Sequence, residues 1–293
     1  MLQILENENL SKHNTFAIGG PARYFAVARS KEDILEASYF AREKSLPFFV
    51  LGGGSNILIS DEGYNGVMVR VQIGGINFDG SKLTAGAGVL LSQLVNESVN
   101  RNLSGLEWAV GIPGTIGGAV NGNCGAYGKS VSESVESVMI LKEENGEWQL
   151  KKYSNEECFF RYRGSRFKHP DNKEVILEAT LDLGPGDSLK SREEMKNTLI
   201  QRRGKIPTEP SAGCVFKNVK NGSELVAAAG KLIEQCGLKE TRVGNAFIPA
   251  IHGNYIVNGG NAKAADVREL MAICKERVKE KFGITLEEEI ILI

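Results

Sequence analysis

The pattern of apolar and polar residues predicts a chain that mixes helices and strands along its whole length. Between residues 31 and 45, apolar side chains recur at 34, 35, 37, 40 and 41, which is the 3.6-residue period of an amphipathic helix. The apolar run at residues 47–51 then predicts a buried strand that ends at Gly52. The same criteria predict further strands over residues 66–71, 82–85, 135–141, 175–183, 255–258 and 288–293.

Four more helices are predicted over residues 89–102, 191–203, 224–236 and 264–282. Ser223 would cap the start of the third of these, and Gly237 and Gly283 would end the last two. Two prolines and two glycines follow a polar helix at residues 204–213, a composition typical of a connection between domains. The pattern therefore predicts a glycine-rich domain first and an α+β domain after about residue 200.

Composition adds one unusual feature, a local excess of glycine. The chain has 34 glycines in 293 residues, and 18 of them lie between Gly52 and Gly128. These glycines have no Gly-X-Y period and are interspersed with Val, Ile and Leu, which excludes a collagen-like or low-complexity chain. The glycine excess is therefore local, and it indicates a specific structural role for residues 52–128.

Charge and cysteine content exclude several classes of protein. Lys and Arg number 35 against 36 Asp and Glu, so the basic excess of a nucleic-acid-binding protein is missing. The longest uncharged window, residues 108–128, contains seven glycines and a proline, which argues against membrane insertion. We see no secretory signal, and the five cysteines form no CxxC pair. We therefore expect a cytoplasmic protein without disulfides, a metal site or a nucleic-acid partner.

Two glycine clusters have the composition of a phosphate-binding cradle. The first glycine loop, residues 52–56 (Gly-Gly-Gly-Ser-Asn), follows a predicted strand, and the second glycine loop, residues 111–118 (Gly-Ile-Pro-Gly-Thr-Ile-Gly-Gly), lies in the uncharged window. Without a Cβ, backbone N–H groups can approach an anion closely. Tight turns and close strand packing would explain either cluster alone, but two in one domain favour a diphosphate.

The common nucleotide motifs do not match. Residues 86–91 (Gly-Ala-Gly-Val-Leu-Leu) follow a strand and open a helix, but the third glycine of a dinucleotide fingerprint is replaced by Leu91. Residues 128–130 (Gly-Lys-Ser) resemble the end of a P-loop, but the preceding glycine would have to lie at Asn123. Residues 131–141 also look more like a strand than a helix. The sequence supports neither a Rossmann site nor an ATPase.

Six motifs in series resemble the UDP-N-acetylenolpyruvoylglucosamine reductase family. They are LGGGSN (51–56), GIPGTIGGA (111–119), YRGSRF (162–167), PSAGCVFKN (210–218), LIEQCGLK (232–239) and LEEEI (286–290). The resemblance extends from about Asn14 to the end of the chain and suggests the shorter subtype of the family. It implies an α+β chain with a vanillyl-alcohol-oxidase-type (PCMH-like) FAD-binding domain of two subdomains, residues 1–70 and 71–200. A C-terminal α+β substrate-binding domain would comprise residues 201–293.

The resemblance also implies a reaction in peptidoglycan precursor synthesis. NADPH reduces FAD and leaves, and reduced flavin then passes a hydride to UDP-N-acetylglucosamine enolpyruvate, giving UDP-N-acetylmuramate. No separate NADPH domain is needed, because one site serves both substrates in turn. The two glycine loops would hold a non-covalent FAD, with cofactor contacts expected from Gly52, Gly53, Gly54, Ser55, Asn56, Gly111, Pro113, Gly114, Thr115, Gly117 and Gly118. We expect only small-molecule partners and a monomer.

Three residues match the catalytic positions of the family. Arg163 would bind the substrate carboxylate, although a surface arginine in a basic run is the simpler reading of the residue by itself. Cys214 stands where many relatives carry the proton-donating serine, and a thiol with a pKa of about 8.5 keeps a donor in place. Glu289 would activate the substrate or relay the proton, and strand alternation would place it on one face with Glu287 and Ile291. Relatives often have a basic residue in place of Ile291.

Four further residues are expected to contact the substrate. Tyr162 adjoins Arg163, and Lys205 would meet the substrate diphosphate. Asn218 and Gln235 would hydrogen-bond the sugar nucleotide. Read without the resemblance, these residues could equally be a solvated loop lysine and polar groups at element ends.

Two other functions fit part of the sequence. An FAD oxidase of the same fold would share the glycine loops but not the set Arg163, Cys214 and Glu289, and some such oxidases hold their flavin through a histidine or cysteine. His13, His169 and His252 lie outside the glycine loops, which favours non-covalent flavin. A nucleotide-binding protein without catalysis would keep the loops alone. Bound flavin, and its oxidation by enolpyruvyl substrate or by oxygen, would separate the three.

Overall fold

Helices and strands are interspersed along the chain, as the apolar pattern predicts. The computed structural model describes residues 1–168, 173–222 and 224–293. Its α-helices are α1 (Lys31–Glu43), α2 (Leu91–Asn100), α3 (Ile116–Gly122), α4 (Ser188–Arg202), α5 (Ala229–Gln235) and α6 (Ala264–Phe282). Within the described ranges, no helix has both the length and the apolarity needed to cross a bilayer.

Strands form a five-stranded antiparallel sheet, a four-stranded sheet, a three-stranded sheet and several short pairs. The strands are β1 (Ile4–Asn9), β2 (Pro21–Ala28), β3 (Phe48–Leu51), β4 (Ile57–Leu58), β5 (Tyr64–Val71), β6 (Ile76–Asp79), β7 (Lys82–Gly86), β8 (Leu103–Ser104), β9 (Gly125–Ala126), β10 (Lys129–Ser130), β11 (Val135–Glu144), β12 (Glu147–Ser154), β13 (Glu174–Asp182), β14 (Gly184–Pro185), β15 (Val219–Asn221), β16 (Glu224–Ala227), β17 (Arg242–Val243), β18 (Ala246–Phe247), β19 (Val257–Asn258) and β20 (Ile291–Leu292). The large sheet has the order β12-β11-β13-β7-β6. In the four-stranded sheet, of order β1-β2-β5-β3, β3 runs parallel to β5. The α+β class is confirmed.

The chain divides into two compact units, each made of separate segments. Unit 1 comprises residues 1–5, 25–53 and 66–201, and unit 2 comprises residues 6–24, 54–65 and 202–293. In unit 1 the large antiparallel sheet carries buried Leu83, Val138 and Ala179, each with no exposed surface. In unit 2 one core cluster includes Phe16 and Phe216, which are at most 1% exposed. Burial of Phe16 is what attaches the early segment to the C-terminal part of the chain.

Local sequence signals explain where two of the predicted helices begin and end. Ser30 and Asp33 form a reciprocal capping box at the start of α1, satisfying backbone N–H groups that have no partner inside the helix. Gly283 ends α6 in the left-handed conformation, with a φ of 69°, which glycine adopts without strain. The helix over residues 31–45 and the stop at Gly283 are therefore confirmed.

The helix predicted over residues 224–236 is wrong in its first half. Residues 224–227 form strand β16, which pairs with β15 in a hairpin, and only α5 is helical. Leu225 and Val226 are 54% and 59% exposed. The apolar residues that predicted a helix here are therefore not part of a buried helix face. The Asn218 side chain accepts the N–H of Ala229 at 3.0 Å and so begins the helix there. The predicted Ser223 cap lies outside the described residues.

Two late strands are shorter than predicted, and one helix is missed. β19 starts at Val257, two residues after the predicted start, and β20 starts at Ile291, three residues after it. The missed helix α3 begins inside the second glycine loop. The helix itself contains three glycines, which lower its helix propensity. Thr115 compensates by accepting the N–H of Gly118 at 3.4 Å.

Candidate active site

The two glycine loops meet at Gly53 and Gly114. A Cβ built on Gly53 would lie 2.9 Å from the Cα of Gly114, and one built on Gly52 would lie 3.3 Å from the Thr115 hydroxyl oxygen. The first distance is shorter than van der Waals contact, so a side chain at position 53 would push the loops apart. The clusters recognised separately in the sequence are therefore neighbours in unit 1.

The second glycine loop is fixed by the segment that leads into α2. Leu91 donates its N–H to the Gly114 carbonyl at 3.1 Å, and Ile116 donates to the Val89 carbonyl at 2.9 Å. Gly117 donates to the Ala87 carbonyl at 2.9 Å. Residues 86–91, which do not match a dinucleotide fingerprint, thus hold the second glycine loop in place through backbone hydrogen bonds.

The meeting point of the loops offers backbone donors to an anion. Gly53 and Gly114 are half-buried, and within the described part of the chain their N–H groups donate no hydrogen bond. Amides of this kind, with no Cβ beside them, suit the oxygens of a diphosphate. The residues present therefore fit the diphosphate of FAD.

The rest of the first glycine loop, residues 54–56, packs on other segments within unit 2. Gly54 has a φ of +67°, and a Cβ there would lie 2.3 Å from the His13 carbonyl oxygen. The Asn56 side chain donates to the Glu289 carbonyl at 3.2 Å, and the Asn56 carbonyl accepts the N–H of Ile291 at 3.0 Å. Asn56, predicted as a cofactor contact, thus also holds the backbone at Glu289.

Arg163 lies in a tight turn that directs its guanidinium. Arg161 and Gly164 exchange backbone hydrogen bonds of 2.9 and 3.1 Å across this turn. Arg163 adopts a φ of +55°, and its Nη1 donates to the Gly125 carbonyl at 2.7 Å. The side chain is half-buried in unit 1, so it differs from a solvated surface arginine.

The neighbouring Arg166 has a different role from Arg163. Its guanidinium contacts both carboxylate oxygens of Glu174, at 3.1 and 3.0 Å, and lies 4.0 Å from the centre of the Tyr153 ring. Tyr162, by contrast, is 37% exposed, with its ring 5.6 Å from the Arg163 guanidinium carbon. The basic run thus divides into a structural arginine and an arginine held beside an exposed tyrosine.

Cys214 and Glu289 lie on neighbouring segments of unit 2. Cys214 forms an isolated antiparallel bridge with Tyr255. On the other side of its segment, Glu289 donates its N–H to the Val215 carbonyl at 2.8 Å. A thiol and a carboxylate that are far apart in sequence are thus carried by paired backbone. Arg163 belongs to unit 1.

Asn254 is a residue of this region that the sequence reasoning missed. Its side chain accepts the N–H of Phe216 at 3.0 Å and donates to the carbonyl of the same residue at 2.8 Å. Its own carbonyl accepts the N–H of Val215 at 2.9 Å. Asn254 is 3% exposed, and it satisfies backbone groups of the segment after Cys214 that a neighbouring strand would otherwise pair with. The available signal was a polar residue directly before an apolar run.

The strand predicted around Glu289 is only partly formed. Leu286 and Ile290 are the buried residues of this segment, four positions apart, and regular strand begins only at Ile291. The Glu287 side chain is 74% exposed, so it does not share the half-buried position of Glu289. In place of a regular strand, this segment forms an isolated bridge between Glu288 and Phe216.

The other two glutamates of the acidic run are bound to lysines. Glu287 lies 3.3 Å from the ammonium of Lys217, and Glu288 forms an ion pair with Lys275. Burial would raise the pKa of Glu288, but the hydrogen bond from Lys275 lowers it overall. The backbone of the acidic run pairs with the Cys214 segment at both ends, because the Glu287 carbonyl accepts the N–H of Lys217 at 2.8 Å and Glu289 donates its N–H to Val215.

Three of the four residues predicted to bind substrate occupy exposed or capping positions in unit 2, and Tyr162 lies in unit 1. Lys205 is exposed just after α4, and Gln235 is exposed in the last turn of α5. The Gln235 carbonyl accepts a hydrogen bond from Lys281 at 2.5 Å. The Asn218 side chain caps α5 through its oxygen. Their roles toward a substrate stay predictions.

Histidines and cysteines show no built metal or disulfide site in the part of the chain that is described. His13 hydrogen-bonds Glu8 at 2.9 Å, and the His252 ring lies 4.9 Å from the Tyr255 ring. His169 lies outside the described residues. None of the five cysteines forms a disulfide, and no group of three or more potential metal ligands occurs within the described ranges.

Two protein-family models match separate parts of the chain. Residues 22–150 match the FAD binding domain family. Residues 205–293 match the family described as UDP-N-acetylenolpyruvoylglucosamine reductase, C-terminal domain.

Several curated proteins and one crystal structure are similar over nearly the whole chain. A UDP-N-acetylenolpyruvoylglucosamine reductase of Moorella thermoacetica is 40% identical, covering 99% of this chain and 93% of the relative. One from Caldanaerobacter subterraneus subsp. tengcongensis is 38% identical, covering 97% and 91%. The crystal structure of UDP-N-acetylenolpyruvylglucosamine reductase (MurB) from Thermus caldophilus is 33% identical, with a TM-score of 0.80 and coverage of 100% and 98%.

Proposed function

Because the chain belongs to the UDP-N-acetylenolpyruvoylglucosamine reductase family, we propose that it reduces UDP-N-acetylglucosamine enolpyruvate to UDP-N-acetylmuramate, a step of peptidoglycan precursor synthesis. FAD is the cofactor and NADPH the reductant. Overall, NADPH gives a hydride and the medium a proton, the enol C=C bond becomes a single bond, and NADP⁺ leaves.

The glycine loops bind the cofactor in this proposal. When bound, FAD accepts the hydride of NADPH and passes it to the methylene carbon of the enolpyruvyl group. Gly53 and Gly114 provide N–H groups to its diphosphate, and Gly52, Thr115, Gly117 and Gly118 shape the loops around them. Glycine is needed at position 53 because the neighbouring backbone leaves no room for a Cβ.

Cys214 supplies the proton. Hydride addition puts negative charge on the carbon next to the substrate carboxylate, and a thiol can protonate that carbon. Free cysteine has a pKa of about 8.5, so a thiol donor is protonated at neutral pH and is a stronger acid than a hydroxyl. Glu289, carried on the paired segment, supports the transfer of this proton or activates the substrate.

Arg163 binds and polarises the substrate carboxylate. A guanidinium is suited to this role because it keeps its charge and donates hydrogen bonds in a fixed plane. Its turn and its bond to Gly125 hold it in one place before substrate arrives. Lys205 meets the substrate diphosphate, while Tyr162, Asn218 and Gln235 contact the rest of the sugar nucleotide.

One observation favours the reductase over other functions of the same fold. The segment of Cys214 is hydrogen-bonded to the segment of Glu289, so a proton donor and a carboxylate are held together in unit 2. An oxidase that shares only the glycine loops has no need of this pairing. A protein that only binds nucleotides has no need of it either.

Anaerobic stopped-flow absorbance tests the proposal on the purified flavin-loaded protein. We expect NADPH to bleach the visible flavin bands and UDP-N-acetylglucosamine enolpyruvate to restore them without oxygen. A protein with no flavin bands would contradict the proposal. Recovery with oxygen at a rate that the enolpyruvyl compound does not exceed would instead identify an oxidase.

The chain acts on small molecules alone, as a monomer, in the cytoplasm. Five cysteines without a disulfide are consistent with a reducing compartment. Light scattering on the eluting protein should give a mass near 31.8 kDa. A dimer mass at micromolar protein would refute the monomer.

A further inference from the structure

Thr15 joins the first glycine loop to the loop that precedes Cys214. Its N–H donates to the Gly54 carbonyl at 3.0 Å, and its hydroxyl donates to the Ser211 carbonyl at 2.7 Å. These residues all belong to unit 2, although Thr15 and Ser211 are 196 positions apart in sequence. A single exposed residue thus connects the backbone of the proposed cofactor loop with that of the segment that carries the proposed proton donor.

The Ser211 carbonyl lies at the start of the turn that delivers Cys214. Gly213 adopts a φ of +80°, a conformation that reverses the chain just before the thiol. The N–H of this glycine donates to the Ser211 hydroxyl at 3.5 Å, and Ala212 is 2% exposed. A rotation of the Ser211 peptide would therefore be passed along this short turn to Cys214.

Thr15 itself stands on a rigid segment. The Asn14 side chain donates to the carbonyls of Leu10 and Ile18, at 2.7 and 2.9 Å. Phe16 is fully buried, and its carbonyl accepts a hydrogen bond from Asn258 at 3.1 Å. Because the backbone on both sides of Thr15 is held, its hydroxyl is a fixed point and not a mobile loop contact.

We propose that Thr15 is a positioning residue, which sets the place of the Cys214 thiol relative to the first glycine loop through its hydrogen bonds to Gly54 and Ser211. The proposal rests on the proposed function, in which Cys214 donates a proton while the glycine loop holds the cofactor. Loss of the hydroxyl frees the Ser211 peptide but leaves the bond to Gly54 in place. Protonation of substrate should then suffer, whereas reduction by NADPH should not.

Replacing Thr15 by Val and by Ser gives a matched pair for the test. Valine has nearly the same shape without the hydroxyl, and serine keeps the hydroxyl. In Thr15→Val we expect re-oxidation of reduced enzyme by the enolpyruvyl substrate to slow by about fivefold, the effect of roughly one neutral hydrogen bond. NADPH should bleach all three proteins at one rate, and Thr15→Ser should recover most of the lost rate.

Thiol chemistry gives a second readout that does not depend on turnover. Iodoacetamide labelling of the flavin-loaded proteins, followed peptide by peptide, should show a several-fold changed rate at Cys214 in Thr15→Val only. The partly exposed Cys236 is the internal control and should react alike in every variant.

Three results would overturn the role of Thr15. They are equal slowing of both half-reactions, unchanged re-oxidation together with unchanged labelling of Cys214, and failure of serine to restore the valine variant. If wild type itself is not re-oxidised by the enolpyruvyl substrate, the proposed function fails instead. The labelling comparison then decides on Thr15 alone.

Discussion

At the scale of single residues, Cys214 is the proposed proton donor. Backbone pairing holds the adjacent Val215 from both sides, because its N–H donates to the Asn254 carbonyl and its carbonyl accepts the N–H of Glu289. The backbone therefore sets where residue 214 lies, and the type of side chain at that position sets the acidity of the proton donor. Either a thiol or a hydroxyl can serve there, while a methyl group cannot.

Exchange of this residue tests the assignment. Cys214→Ser should retain turnover, because a hydroxyl can still donate. Cys214→Ala should be reduced by NADPH at the wild-type rate and then be re-oxidised by the enolpyruvyl substrate about 10²-fold or more slowly. Stopped-flow absorbance of the two half-reactions makes the measurement. Full turnover by the alanine variant would remove Cys214 from the mechanism.

Gly53, where the two glycine loops meet, should not tolerate a side chain. A Cβ there meets the Gly114 backbone, so Gly53→Ala must displace one of the loops. We expect flavin affinity to fall by more than about tenfold, equivalent to about 1.4 kcal/mol. Titration of flavin-free protein with FAD measures it.

A glycine with open space around it is the control for this substitution. Gly74 has no atom within 4 Å of a built Cβ, so Gly74→Ala should bind FAD like wild type. Equal affinities in the two variants would show that the meeting of the glycine loops is irrelevant to the cofactor.

At the scale of elements, the buried carboxylate of Glu107 joins α4 to the loop before residue 107. Glu107 is 2% exposed, accepts the Ser191 hydroxyl at 2.6 Å and accepts the N–H of Gly105 at 2.8 Å. Burial would raise the pKa of Glu107, but these hydrogen bonds lower it overall. The ionised form is therefore favoured in the folded state.

Linkage gives the sign of the pH dependence. Since the pKa of Glu107 is lowered on folding, its contribution is complete above the unfolded value of about 4.3 and is lost as pH falls through the folded value. Glu107→Gln should reduce the free energy of unfolding by about 1–3 kcal/mol at pH 7. The deficit should shrink below about pH 4.

Urea unfolding at several pH values makes this comparison. Glu156→Gln, at an exposed position, is the control and should cost little at any pH. A deficit for Glu107→Gln that stays constant down to pH 3 would show that the charge of Glu107 has no part in it.

Elements with a regular apolar period were predictable from the sequence, and those set by tertiary contacts were not. α1 and α6 have both a clear period and a terminal signal. The hairpin of β15 and β16 escaped prediction because Leu225 and Val226 are exposed, so periodicity there reports no burial. α3 escaped because its glycines serve loop contacts and oppose helix propensity.

For the candidate site, motifs pointed to residues but not to their neighbours. The glycine loops, Arg163 and Cys214 could be named from the resemblance. Asn254 and Thr15 could not, because their importance lies in hydrogen bonds to backbone far away in sequence. Composition and spacing carry no information on such bonds.

At the scale of the whole molecule, each of the two units combines distant segments of the chain. Unit 1 contains the meeting point of the glycine loops, Tyr162 and Arg163, and unit 2 contains Cys214, Glu289, Lys205, Asn218 and Gln235. The first glycine loop is divided between them, with Gly53 in unit 1 and Gly54 in unit 2.

The most direct test of the central claim is a single anaerobic turnover followed by mass spectrometry. Enzyme reduced with one equivalent of NADPH is freed of NADP⁺ and mixed with UDP-N-acetylglucosamine enolpyruvate. We predict that the flavin absorbance returns and that a product heavier by two hydrogen atoms forms, one molecule for each flavin. Flavin that stays reduced until oxygen is admitted, with the enolpyruvyl compound recovered unchanged, would contradict the account.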